Sequence, residues 1–322
     1  MPGAVQSQHV SLAPVLCTGA ESGEPMPQYS DVPFVLNKDL GRPQLPPEEA
    51  YCKFNSEGRP VPELTTEEKY AFDLRGWLLI PGVLTEDEMI PMREHLKRLH
   101  EDKESIPEKD RSSLGGPCVS LIDHPVVVAF MNEFVYNPFT DGTKTPPLGN
   151  QKCYGFRMEY SFSQYRTAGE GMFVPHNGGG SMRVPGAHHT YHVFPGHAKA
   201  VLTRALFELN PVEKGKGGTL FVSGSHKAAF PAPEDEINRM ESSFWDTYEC
   251  PAGSVLFFTE AVTHCSSIWT DQANPRIAIF NSYNMVGNKW HNWDPHPDLL
   301  AEMPAQRQTL FRPVYVAGNV TG

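Results

Sequence analysis

The chain changes character near residue 150, and that change limits its fold more than any other feature of its 322 residues. Before it, helix signals dominate. Thr65-Thr66-Glu67-Glu68 sets a hydroxyl and a carboxylate three residues apart, the spacing that satisfies the exposed amides at a helix start. Gly76-Trp77-Leu78-Leu79-Ile80-Pro81-Gly82 is an apolar run bounded by turn formers, and Thr85-Glu86-Asp87-Glu88 opens a second helix whose Met89, Met92, Leu96 and Leu99 recur at helical spacing. Residues 64–103 therefore read as helix, strand, helix. Beyond residue 150 the pattern becomes short β-type runs separated by Gly, Pro and Asn. Residues 201–209 alternate, with Val201, Thr203, Ala205, Phe207 and Leu209 on one face and Arg204 on the other, and 219–222, 254–258 and 277–282 are further strands. With no repeat of 20 to 50 residues, helices followed by many short strands predict a mainly β barrel or sandwich with flanking helices.

The N-terminal segment is different again. Ten of the thirty prolines fall within residues 1–62, and no helical or alternating pattern survives there. Residues 1–63 are read as a proline-rich arm, anchored through Phe34, Val35 and Leu36 to the body or to a second subunit of a homo-oligomer. Residues 64–322 are read as one domain. Lys and Arg number 27 against 38 Asp and Glu, and no basic run tracks a phosphate backbone, which argues against nucleic acid. No apolar stretch reaches the ~20 residues that span a bilayer, and no leader precedes the arm, so a cytoplasmic protein is expected. The six cysteines are scattered without a C-x-x-C pair, as reduced thiols would be.

Three motifs then follow in order. They are Pro175-His176-Asn177-Gly178-Gly179-Gly180, Gly217-Gly218-Thr219-Leu220-Phe221-Val222-Ser223-Gly224-Ser225-His226-Lys227, and Thr263-His264-Cys265-Ser266 with Arg276 twelve residues after His264. Together with the run from Gly76 to Leu84 they resemble the phytanoyl-CoA dioxygenase family of iron and 2-oxoglutarate enzymes. The resemblance covers about residues 64–290. It implies a double-stranded β-helix, the cupin-like jelly roll, whose mouth holds Fe(II). It further implies His176 and His264 as metal ligands, Arg276 as the clamp on the distal carboxylate of 2-oxoglutarate, and Ser266 as a second donor to that carboxylate. The residue types suit the chemistry. Neutral imidazoles from two separate strands hold ferrous iron while leaving sites open for the keto acid and O2, and a planar guanidinium suits a carboxylate. The implied activity is oxidation of an unactivated C–H bond of a small molecule, with 2-oxoglutarate converted to succinate and carbon dioxide.

One position departs from the family pattern. Where the family carries Asp two residues after its first histidine, this chain carries Gly178. The resulting His-x-Gly is similar to the motif of iron and 2-oxoglutarate halogenases, in which the vacated position takes chloride or bromide. Two readings stay open: a halide beside Gly178 with halogenation, or water or another carboxylate, Glu260 or Glu159, with hydroxylation. A third, from a different class, is a binding protein that kept the scaffold without catalysis.

Other motifs have plainer readings. His188, His189, His192 and His197 form a dense group, but Pro185, Gly186, Pro195 and Gly196 interrupt it, which disfavours a zinc site and predicts a loop over the mouth with His192 as the member nearest to cosubstrate or substrate. Gly224-Ser225-His226-Lys227 is a structural turn. Arg204, if inward, either binds an anion or pairs with a carboxylate. Trp290-His291-Asn292-Trp293 reads as a surface latch, with a lid or subunit contact as the alternative.

Overall fold

The structure is a computed structural model describing residues 51–136, 149–177, 189–194 and 197–314. Phe34, Val35 and Leu36, with the rest of residues 1–50, lie outside the described residues, as does Gly178. Packing begins by Tyr51, earlier than the boundary at 64. The Tyr51 ring meets Tyr136 edge-on at 5.6 Å, Cys52 is buried, and the Asn55 amide donates to the Asp123 carbonyl at 3.1 Å.

Local chemistry sets the first three elements. Helix α1 (Thr66–Arg75) and helix α2 (Glu86–Glu101) both start on a capping box, with Thr65 paired to Glu68 and Thr85 to Glu88. Strand β1 (Trp77–Ile80) follows α1 after Gly76, which ends the helix at φ 81°. A Cβ there would stand 2.6 Å from the His226 ring, so glycine serves both the turn and the close approach. Helix α3 (Pro125–Phe134) carries three consecutive valines, a pattern that favours strand. It is helical because His124 and Pro125 start it and because Val127, Val128, Phe130, Met131 and Phe134 all find buried partners.

Eight further strands follow: β2 (Phe156–Arg166), β3 (Tyr191–Phe194), β4 (His197–Ala200), β5 (Thr203–Glu208), β6 (Thr219–Val222), β7 (Ser254–Thr259), β8 (Thr263–Ser266) and β9 (Arg276–Met285). The major sheet runs β1-β7-β5-β9-β2, and each of its pairs is antiparallel. The facing sheet is the β6–β8 pair, widened on its two outer edges by single bridges, Phe221 to Asp246 and His264 to His176. β3 and β4 form a separate hairpin where the sequence predicted only a loop. Two opposed sheets with helices on the outer face of the larger one make the jelly roll.

The alternation along β5 explains both cores. Ala205 and Phe207 point outward and join Phe72, Phe130 and Phe257 beneath the helices; Phe130 stacks on Phe257 at 4.1 Å. Leu206 points inward and joins Phe221, Leu256, Phe258 and Phe280 between the sheets. Arg204 and Glu208 share that inward face, which gives the barrel interior its charge. The latch reading of 290–293 matches the geometry: the backbone N–H groups of Trp290 and His291 both donate to Glu159 at 2.5 Å, and the His291 ring stacks on Tyr160 at 4.8 Å. Among the described residues no helix is long and apolar enough to cross a membrane.

Two expected outcomes follow from this packing. Phe130→Ala removes a ring that is fully buried and costs about 3–5 kcal/mol in urea unfolding, since the site cannot collapse around three neighbouring rings. Lys199 is 5 % exposed, and burial pulls its ammonium down to about 7 while it donates to the Glu133 carbonyl at 2.6 Å. The unfolded chain then binds more protons between about pH 7 and the ordinary lysine value near 10.4, so stability climbs across that window, by at most ~1.4 kcal/mol per pH unit. Lys199→Met should flatten that climb in unfolding measured at pH 7, 8.5 and 10.

Candidate active site

The two histidines, 88 positions apart in sequence, are neighbours in space. His176 N–H donates to the His264 carbonyl at 3.0 Å and His264 N–H to the His176 carbonyl at 2.8 Å, a reciprocal antiparallel bridge that sets both side chains on one face. Their ring centroids are 4.3 Å apart, tilted by 57°. Each ring is oriented in the same way. The Nδ1 of His176 lies 2.8 Å from the Val174 carbonyl, and the Nδ1 of His264 lies 2.8 Å from the Val262 carbonyl. A carbonyl only accepts, so the Nδ1 atoms carry the protons and both Nε2 lone pairs are free, the tautomer a metal ligand needs. Two imidazoles at right angles around one ion, with bonds of about 2.1 Å, would have centroids roughly 4.6 Å apart. The observed separation fits a shared divalent ion.

Neighbouring elements fix the pair. Thr263 N–H donates to the Ser225 hydroxyl at 2.8 Å, so the turn after β6 braces β8 just before His264. That turn is tied to α1, where Lys227 pairs with Asp73 at 2.9 Å. Phe258 packs its ring 4.9 Å from His264. His264 is 5 % exposed whereas His176 is exposed, so the site opens on the His176 side. Burial, reinforced by His176 and Arg204 and opposed by Glu260, brings the His264 imidazole down to about 4, which keeps it neutral at physiological pH.

Glu260 reaches this centre because the chain turns immediately after β7. Val262 N–H donates back to the Thr259 carbonyl at 3.1 Å, and the Glu260 Oε2 ends 4.0 Å from His264 Nε2. Its other oxygen, Oε1, is held by Arg204 Nε. Arg204 thus points inward and pairs with a carboxylate, one of the two roles its position allowed. Burial raises the Glu260 carboxyl, but Arg204 and the imidazoles more than reverse it and bring it down to about 2. Glu159 goes elsewhere: it sits at a β-bulge in β2 and is taken by Arg157, Asn284, Trp290 and His291. Among the described residues no group of three His, Cys, Asp or Glu side chains is gathered to hold a metal, so the centre is the histidine pair with Glu260 beside it.

Arg276 lies at the start of β9, 1 % exposed, and its fork is occupied. Nε and Nη2 both donate to Glu208, with Nη2 to Oε1 at 2.5 Å, and Nη2 also reaches Tyr248 and Thr219. Among the described residues only Gln164 accepts from Nη1, at 3.1 Å, although that nitrogen carries two hydrogens. Arg166 stands directly across the β2–β9 ladder from Arg276, and its buried Nη1 has no hydrogen-bond partner among the described residues. The donors left on Arg276 and Arg166 fit a carboxylate, with Glu208 buried against both groups and Glu170 facing Arg166. Ser266 is the cross-strand partner of Thr219, which places it beside this cluster. His192 is not brought in: it lies exposed on the β3–β4 hairpin, its Nε2 2.9 Å from the Thr190 hydroxyl, with no contact to His176, His264 or Arg276 among the described residues.

Glu208, Tyr248 and Arg166 were not singled out from sequence. Glu208 carried a signal, since it shares the inward parity of Arg204 on β5. Tyr248 and Arg166 carried none, because the partners that define them lie on distant strands.

A two-sheet jelly roll with paired imidazoles on one inner edge and a buried arginine on the facing sheet defines the class. The chain belongs to the phytanoyl-CoA dioxygenase family, whose model matches residues 72–277. No curated protein sequence matches it. Solved structures of HygX from Streptomyces hygroscopicus share the fold: the iron-bound form is 21% identical, with a TM-score of 0.54 over 74% of this chain and 94% of HygX. The form holding nickel, 2-oxoglutarate and hygromycin B is likewise 21% identical, at a TM-score of 0.54 over 73% of this chain and 94% of HygX. The apo form gives 20% identity and a TM-score of 0.53, over 74% and 94%.

The Arg276–Glu208 pair is testable by itself. Replacing either partner with Leu strands a charge that is 1 % exposed and should cost about 3–5 kcal/mol, while Arg276→Leu combined with Glu208→Leu should cost less than either alone, read from urea unfolding midpoints.

Proposed function

We propose that this protein is an Fe(II)- and 2-oxoglutarate-dependent oxygenase that hydroxylates an unactivated C–H bond of a small molecule. The single observation that carries the reading is the pair of facing imidazoles, His176 and His264, each with Nδ1 tied to a carbonyl and Nε2 free. In this reading His176 and His264 hold the iron, and the donors left on Arg276 and Arg166, with Ser266 beside them, take the distal carboxylate of 2-oxoglutarate. Bound iron, 2-oxoglutarate and O2 supply the oxidation, in which the keto acid leaves as succinate and carbon dioxide and one oxygen atom enters the substrate.

The chain's own residues position and shield. Val174 and Val262 carbonyls hold the imidazole protons away from the metal side, and Phe258, Phe162 and Phe280 keep water from the inner wall, the last two stacked at 4.5 Å. The exposed flank at His176 leaves a side from which a small molecule enters. The described cysteines are free, which suits a reducing cytoplasm that also keeps iron ferrous. Halogenation is the competing outcome, since Gly178 brings no side-chain ligand.

The test is anaerobic titration with ferrous iron. A weak visible charge-transfer band should grow only when 2-oxoglutarate is present, and His264→Ala should weaken metal binding by more than ~100-fold. A wild-type protein that shows neither band nor metal affinity is a bare scaffold, and the proposal fails. Turnover in chloride that yields an organochlorine in place of an alcohol reassigns the enzyme as a halogenase.

A further inference from the structure

We infer that the inner row Tyr160–Ser282–Arg204 of the major sheet is the substrate subsite, and that it takes a neutral molecule with an apolar body and a hydroxyl or carbonyl oxygen. The inference deepens the oxygenase reading above by naming the chemical class of the substrate, and it rests on that reading only for what happens to the molecule once bound. Ladder pairing builds the row. Ser282 on β9 stands opposite Tyr160 on β2 and opposite Arg204 on β5, so the three side chains share the inward face. Arg204 is in turn opposite Phe258 on β7, whose ring packs 4.9 Å from His264, so the row runs up to the imidazole pair.

Two groups in this row have hydrogen-bonding capacity that the protein leaves unused. Ser282 is 0 % exposed, and its hydroxyl has no hydrogen-bond partner among the described residues. Buried serines nearby are satisfied: the Ser161 hydroxyl donates to Asn281 at 2.8 Å and the Ser254 hydroxyl to the Pro251 carbonyl at 2.7 Å. A buried hydroxyl without a partner costs free energy until something completes it. Beside it, Arg204 gives its Nε to Glu260, and among the described residues neither of its Nη atoms donates to an acceptor. The Arg204 side chain is 14 % exposed, which leaves those donors within reach of a small molecule.

The chemistry of the row selects its ligand. Glu260 already neutralises Arg204, so an incoming anion meets no surplus charge to offset its desolvation, and an incoming cation is repelled by the guanidinium. A hydroxyl or carbonyl oxygen needs neither charge, since it accepts from an Arg204 Nη and from the Ser282 hydroxyl. The adjacent row is apolar, with Phe162 stacked on Phe280 at 4.5 Å and Leu206 opposite Phe280. On the outer side Tyr160 stacks on His291 at 4.8 Å and meets the edge of Trp293. A few polar donors against an apolar floor suit a molecule that carries an oxygen on a hydrocarbon body. Arg204, held over the Phe162 ring at 5.3 Å, is then the residue that sets specificity.

The experiment is an NMR titration of the full chain, isotopically labelled in its arginine side chains, with cyclohexanol, cyclohexanecarboxylate and cyclohexylamine, probes that share a ring and differ in the head group. The Arg204 signal is the one that disappears in Arg204→Lys, and it should shift with cyclohexanol and stay in place with the other two. Ser282→Ala should weaken cyclohexanol about fivefold, the loss of one neutral hydrogen bond, while its urea unfolding midpoint stays level or rises because an unpartnered hydroxyl has gone. Arg204→Lys keeps a cation for Glu260 but loses the Nη donors, and it should weaken cyclohexanol as well. Tighter binding of the carboxylate than of the alcohol, or equal cyclohexanol affinity in wild type and Ser282→Ala, would overturn the inference. Binding is read without turnover, so the two readings fail separately. A chain that takes cyclohexanol but no ferrous iron keeps the subsite and loses the oxygenase, whereas one that takes iron but none of the probes keeps the oxygenase and loses the subsite.

Discussion

Two backbone hydrogen bonds between His176 and His264 are the constraint on which the rest of the site depends. Neither residue is held by its own ring alone. The bridge fixes the separation of their Cα atoms, the pleat sends both side chains the same way, and one carbonyl two residues upstream then sets each ring plane. Such a centre is assembled by sheet pairing, so its accuracy derives from elements that are well packed elsewhere. β8 is braced by Ser225, and the 171–177 segment is pinned by Phe173 against Trp245 and by Gly171, where a Cβ would meet the Ser267 carbonyl at 2.6 Å.

The interior of the barrel is organised around charge as much as around apolar packing. Two arginine–carboxylate pairs, Arg204–Glu260 and Arg276–Glu208, both draw on the inward face of β5. Between them Phe162 and Phe280 stack, with Arg204 over one ring and Arg276 over the other. Buried ion pairs seldom add net stability, since desolvation offsets the attraction, and their retention here accords with a specific role at each end. At one end the pair steadies a carboxylate beside the imidazoles. At the other it fixes Arg276 while Arg166, opposite it, is left with an unused donor.

Much of this was legible in the chain, for reasons that can be named. The capping boxes at Thr65 and Thr85 and the alternation of β5 are local patterns, and local patterns survive into the structure. Helix α3 was not legible, because its run of valines opposes its helicity and only tertiary burial decides it. The β3–β4 hairpin was read as a loop on the strength of Pro185, Gly186, Pro195 and Gly196, yet residues 191–194 and 197–200 pair as strands. The proximity of His176 and His264 was suggested by motif order, whereas Glu260 stood beside Glu159 as an open candidate that would reach the site only if the chain turned sharply. The turn at 260–262 meets that condition, and no composition rule announces it.

The asymmetry of exposure gives the centre a direction. His264 and Glu260 are buried against Phe258 and the Arg204 pair, while His176 faces solvent. The inner side of the pair is dry, with Glu260 neutralised by Arg204, and the outer side is open. Low dielectric on the inner side strengthens each polar contact there, and the packing excludes competing water. A molecule that approaches the pair from solvent therefore meets His176 before His264.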